Sequence, residues 1–245
     1  MTQINNIPAA LSAMAGQLEP YRAPDETVRP DVDCRLSYEI LQWTKTHPDR
    51  MTDNKIVGTV EISRYHKGDE AEYQILEKRL GGGQEIYEAT VTTTKHSDFG
   101  ESILSWGLDW YQAESPSDLL QVSGTVQGET VRMGGMTGQK QYAITSPVLC
   151  PWIIPFTLAH RGADMEISGA FTSVDELTYC KANQLLHGPD SVHIETDGEP
   201  LLAFRHTGPA TLPIHYVFDS QGRPVFVTFT MLSWILRMID APDRA

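Results

Sequence analysis

Of the features that announce chemistry in a sequence, this 245-residue chain has few. Cysteine is scarce: Cys34, Cys150 and Cys180 are odd in number and widely spaced, which argues against a disulfide framework and for free thiols. Basic charge is also short, with 19 Lys and Arg against 32 Asp and Glu, a formal net charge of −13, and no basic run to make a local exception. Such a chain repels phosphate backbones, so no nucleic-acid partner is expected. The longest apolar run is much too short for a membrane span. No CxxC, HxH or HExxH offers metal-ligand spacing, so no metal site is expected. Nucleophilic catalysis lacks its G-x-S-x-G elbow, and Gly81 to Gly83 lacks the Lys-Ser/Thr that would make it a P-loop. No cofactor is implied. The opening MTQINNIPAALSAMAGQ has no basic n-region, so the expected compartment is the cytoplasm, with a periplasmic mature domain as the alternative.

What the chain does have is alternation. Hydrophobic residues make up 40% of it and include five Trp, enough for one core, and all-β chains of this length are routinely single domains. Residues 1–33 divide into a short helix carrying Ile7, Leu11, Met14 and Leu18 at helical spacing and an exposed linker; residues 34–245 form one antiparallel β domain. Strand patterns run over Cys34 to Trp43, Ile56 to Tyr65, a third strand through Ala71, Tyr73 and Ile75, then Ile86 to Lys95 and Ser102 to Ala113. The last places Leu104, Trp106, Leu108 and Trp110 on one face and Ile103, Ser105, Gly107, Asp109 and Tyr111 on the other. Leu119 to Val126, Val131 to Gly134 and Gln139 to Thr145 follow. After the segment SPVLCPWIIPFTLAHRG come Met165 to Phe171, Glu176 to Gln184, Val192 to Glu195 and Leu201 to His206.

The clearest hairpin is Leu212 to Leu232. Its turn Asp219-Ser220-Gln221-Gly222 supplies an acceptor and a residue free to take positive φ, which predicts Tyr216 opposite Phe226 and His215 opposite Val227. Pro224 lacks an N–H and asks for an edge or a local break. Ser233 to Ile239 extends the last strand or makes a final turn of helix. Altogether about a dozen antiparallel strands form a single meander, which must close into a barrel or curl into a half-barrel around something that fills it. The filler is the apolar stretch with Trp152, Ile153, Ile154, Phe156 and Leu158, a short helix or buried crossover too continuous to lie in water.

This order of elements, with Val148 to Gly162 followed by the strands of Tyr216 to Val227, resembles the curled half-barrels of the bacterial lipoprotein-carrier superfamily and related uncharacterised families. The resemblance implies a concave apolar face that holds an acyl chain or similar ligand. Two functions suit such a scaffold. The first is binding or carrying an apolar small molecule such as a lipid or isoprenoid, with Trp106, Trp110, Trp152, Phe156 and Tyr216 as walls. The second is a cofactor-independent isomerase or cyclase acting on a hydrophobic metabolite, with Asp109, His206, His215 and Tyr216 as acid–base groups. Asp109 is a candidate because a mid-strand carboxylate facing a cavity would have a raised pKa; it is inert if its face meets solvent. Cys150, beside Pro151 and Trp152, reads as a buried structural thiol. A purely structural protein using its sheet edges is the third possibility and predicts a packed interior.

Overall fold

The computed structural model describes residues 28–30, 32–43, 54–80, 83–135, 138–144, 146–162, 166–192, 201–229 and 231–242. The expected N-terminal helix lies outside them. The first eight strands are β1 (Cys34–Trp43), β2 (Asn54–Lys67), β3 (Glu70–Leu80), β4 (Gln84–His96), β5 (Gly100–Gln112), β6 (Ser115–Gln127), β7 (Thr130–Gly135) and β8 (Gly138–Ala143). A two-residue strand, β9 (Val148–Leu149), and helix α1 (Ile154–Arg161) follow. The rest is β10 (Ile167–Asp175), β11 (Tyr179–Val192), β12 (Leu201–Gly208), β13 (Thr211–Phe218), β14 (Phe226–Thr228) and β15 (Leu232–Asp240). The protein is mainly β, as the alternation predicts.

All fifteen strands belong to one sheet, ordered β8-β7-β6-β5-β4-β3-β2-β1-β15-β14-β13-β12-β11-β10-β9. Every pairing is antiparallel except β9 with β10. Two meanders, β1 to β8 and β9 to β15, are therefore stitched along a single seam between β1 and β15. Two oppositely directed ion pairs mark it: Arg35 donates to Asp240 at 3.0 and 2.7 Å, and Arg237 donates to Glu39 at 2.7 Å.

The sheet does not close, since no ladder joins β8 to β9 among the described residues. It curls instead. Phe99, just before β5, packs on Phe171 of β10 with ring centroids 5.9 Å apart, although β5 and β10 stand ten places apart in the sheet. The turn between β10 and β11 reaches the opposite wing: Trp106 Nε1 donates to the Leu177 carbonyl at 2.9 Å, and Arg79 donates to Glu176 at 3.1 Å. Between the wings sits the apolar segment, with Val148 to Cys150, Trp152 to Ile154, Phe156 and Leu158 almost wholly buried. Thus a helix no longer than eight residues, with no side-chain cap at its start, is held by what surrounds it. Of the free edges, β8 is mostly exposed and carries Lys140, which discourages edge-to-edge pairing, and β9 is short and buried.

Several sequence expectations need correcting. The described residues form fifteen strands, in keeping with a meander of about a dozen; β9 is too short to read as alternation, and Ser233 to Ile239 belongs to a separate strand, β15, that returns to pair with β14 and β1. The Asp219 turn forms as expected: its carboxylate accepts from the N–H groups of Gln221 and Arg223, and Gly222 has φ of 76°. The ladder then breaks at Pro224, and pairing resumes one residue out of step, with Val217 opposite Phe226, Tyr216 opposite Val227 and His215 opposite Thr228. An extra residue extruded at the break accounts for the slip. In β5 a similar irregularity beside Thr92 and Thr93 of β4 puts Ile103 on the same buried side as Trp106 and leaves Leu104 partly exposed.

Candidate binding site

The inner face of the curled sheet follows from the two-residue period. In β3 the buried positions are Ala71, Tyr73, Ile75 and Glu77; in β5, after the irregularity, Trp106 and Leu108. Trp106 lies flat over Gly124 of β6, where a Cβ would fall 2.0 Å from the indole, so only glycine admits this packing. Trp110 continues the row and stacks on Tyr87, centroids 5.6 Å apart and planes 8° from parallel. Phe156 of α1 meets Tyr73 edge-on at 5.2 Å. From the far wing, Tyr216 of β13 and His206 of β12 turn inward, both completely buried. Trp106, Trp110, Trp152, Phe156 and Tyr216 thus all stand on or inside the enclosed face.

Two clusters of charge are buried with them. Arg64 donates to Glu101 at 2.7 Å; Tyr73 and Thr93 donate to the other oxygen of Glu101 at 2.6 and 2.8 Å. Burial and the Glu101 charge together push the Tyr73 hydroxyl well above its ordinary range. Glu77 accepts from Arg79 at 2.5 Å and from Trp152 Nε1 at 2.7 Å, so a carboxylate on β3 grips the segment that fills the sheet. Burial raises the Glu77 pKa, and Arg79 opposes it. Arg79 also lies over the Tyr87 ring at 4.7 Å. None of these charges was among the sequence candidates. Their signal was phase: Glu77 is in step with Tyr73 and Ile75, Arg64 with Ile62, and Glu101 with Ile103.

Among the described residues, Trp110 Nε1, Arg161 Nε, His206 Nδ1 and Tyr216 Oη are buried polar atoms with no hydrogen-bond partner. Each such group ordinarily costs about 1–3 kcal/mol when buried dry. His206 packs on Phe171 at 4.8 Å and shares its other nitrogen, Nε2, with Gln184 Oε1 at 3.1 Å. Burial lowers its pKa to about 4. The Cys150 thiol is pushed up to about 12 by burial and is inert, as its setting in the sequence suggests.

The acid–base candidates do not converge. His206 and Tyr216 share the inner face, whereas His215 pairs with Arg205 on the opposite face. Asp109 stands on the outer side of β5, half-exposed, accepting from Gln121 at 3.0 Å. It borders an open hollow of about 840 Å³. One cross-strand row through that hollow runs Glu61, Leu76, Glu88, Asp109, Gln121; the next runs Ser63, Gln74, Thr90, Gly107, Ser123. It is a polar outer surface.

No family model matches this sequence, and no curated protein matches it. Among solved structures, the chain is similar to a β-barrel-like protein of a domain of unknown function, DUF1849, from Brucella abortus, with a TM-score of 0.51 and 8% identity over 89% of this chain and 100% of that one. The likeness is one of fold. It supports a curled, β-barrel-like architecture and does not single out the lipoprotein-carrier superfamily. Among the described residues no helix is long and apolar enough to cross a membrane, and no cluster of three or more His, Cys, Asp or Glu could hold a metal ion.

Proposed function

We propose that the protein binds or carries an apolar small molecule, a lipid, an isoprenoid or a compound of similar character, within the concave face of its curled sheet. What supports this is the sidedness of the aromatic residues: Trp106, Trp110, Trp152, Phe156 and Tyr216 are on the enclosed side, while the outer rows of β2 to β6 are mainly Ser, Thr, Gln and carboxylate, with Leu76 among them. Within that enclosed space lie α1 and the residues before it. A ligand gains access by displacing this short segment, which is tied to β3 by the hydrogen bond from Trp152 to Glu77 and by the contact of Phe156 with Tyr73. Burial of each additional methylene is worth about 0.8 kcal/mol, so affinity is expected to rise with the length of the ligand's chain.

Native mass spectrometry of the protein purified from cells tests the reading. The expected result is a reproducible mass increment, removed by organic extraction, together with quenching of the interior tryptophans by N-phenyl-1-naphthylamine through energy transfer. A protein that is empty in repeated preparations and takes up no probe refutes it.

A further inference from the structure

The unpartnered atoms on the inner face define what the ligand's polar end must be. His206 and Tyr216 lie on neighbouring strands, where His206 pairs with Ile214 and Phe204 with Tyr216. The two side chains are therefore diagonal neighbours on one face, a separation of about 7–8 Å between backbones that large rings readily bridge. Both are fully buried, and both feel the same carboxylate, Asp175, which is itself neutralised by Lys181 at 2.5 Å and by the Ser173 hydroxyl.

The protonation of His206 follows from its neighbour. The Gln184 amide nitrogen donates to the carbonyls of Ala182 and Pro209 at 3.1 and 3.2 Å, which fixes the amide so that Oε1 faces His206. An amide oxygen only accepts, so Nε2 carries the proton. With the ring held neutral by burial, Nδ1 is a bare lone pair with nothing to accept from. Tyr216 Oη, on the same face of the sheet, is a hydroxyl with nothing to donate to among the described residues. The pair thus offers one acceptor and one donor, with no net charge.

We propose that the interior binds an apolar molecule bearing an uncharged hydroxyl group, which donates to His206 Nδ1 and accepts from Tyr216 Oη. A carboxylate satisfies Tyr216 but sets a negative oxygen against the His206 lone pair. A hydrocarbon leaves both atoms unpaired, and an ammonium leaves the tyrosine proton without an acceptor. The inference rests on the apolar-ligand reading above and names the headgroup.

The test is binding of three ten-carbon probes, 1-decanol, decanoate and decane, at pH 7.5, followed by tryptophan fluorescence, to the wild type and to the variants Tyr216→Phe and His206→Phe. Decanol is expected to bind at least ten-fold more tightly than decane or decanoate, and each variant to erase that preference by bringing decanol affinity down to that of decane. Tyr216→Phe removes only an unpartnered hydroxyl and is expected to keep the melting temperature of the empty protein at or above that of the wild type. Equal binding of all three probes, or a decanol preference that survives both substitutions, overturns the headgroup assignment and leaves the apolar-ligand reading standing. Failure of every probe to bind overturns both.

Discussion

A charged side chain in the inward phase of a strand must be matched where it stands, and the Arg64–Glu101 pair shows what that entails. With side-chain exposures of 4% and 6%, neither ion keeps its water, and every oxygen of Glu101 is instead met by Arg64, Tyr73 or Thr93. Such a pair is poor evidence of net stabilisation, but breaking it strands a charge. Glu101→Gln is expected to lower stability by about 3–5 kcal/mol, measured by urea denaturation, because an amide replaces the carboxylate that accepts from Arg64, Tyr73 and Thr93 at once, and its NH2 group faces donors. His206 gives a second residue-scale expectation. Its folded pKa, about 4, lies below the ordinary 6.5. Between those values the unfolded chain takes up a proton that the folded one refuses, so stability falls as pH drops through that window, by up to about 1.4 kcal/mol per unit. Below about 4 both states bind it and the loss levels off. The urea midpoint of His206→Gln should accordingly decline less between pH 6.5 and 4.5 than that of the wild type; parallel profiles would show that the imidazole is not held neutral.

At the scale of elements, the seam between β1 and β15 carries its register in charge. Arg35 on β1 meets Asp240 on β15, and Glu39 on β1 meets Arg237 on β15, so a displaced register brings like charges closer. These pairs are partly exposed and each contributes no more than about 1 kcal/mol. Arg35→Asp alone is expected to reduce stability by about that much or slightly more, and adding Asp240→Arg to restore most of it, read as the coupling energy of a double-mutant cycle. Elements were where the sequence was most legible. Strand β1 runs from Cys34 to Trp43 as alternation and flanking loops indicate, and most other strands differ only at their ends. Legibility failed where one residue was extruded. The break at Pro224 could be anticipated, but its direction could not, and that single residue exchanged the partners of Tyr216 and His215. The irregularity in β5 did the same to Ile103 and Leu104. Which histidine faces inward is a matter of global register, and no local pattern records it.

The molecule as a whole is one sheet whose two halves lean on a common filling. Because the wings are joined by β1–β15 pairing, by Phe99 on Phe171 and by the ties from Arg79 and Trp106 to the β10–β11 turn, neither half has a complete core of its own. Unfolding is expected to be a single transition, with tryptophan fluorescence and far-ultraviolet circular dichroism giving the same midpoint; two separated midpoints would mean that the meanders are independent units. Trp106 and Trp110 were readable as one face of an alternating strand and Trp152 and Phe156 as part of an apolar run, whereas the face that Tyr216 takes was not readable. The ion clusters among them were not, because sequence shows a charge in phase with a core but not the partner that makes its burial tolerable.

The seam also fixes an order of events on the ribosome. Strands β2 to β8 can each pair with their predecessor as they emerge, but β1 waits for its second neighbour until β15, starting at Leu232, has been synthesised. From the emergence of β1 to that of β15, one edge of β1, with Leu36, Tyr38 and Ile40 beside it, is an open template for any extended chain nearby. Nascent-chain protection is therefore needed longest at β1, and a stall before residue 232 leaves a growing sheet with a sticky side.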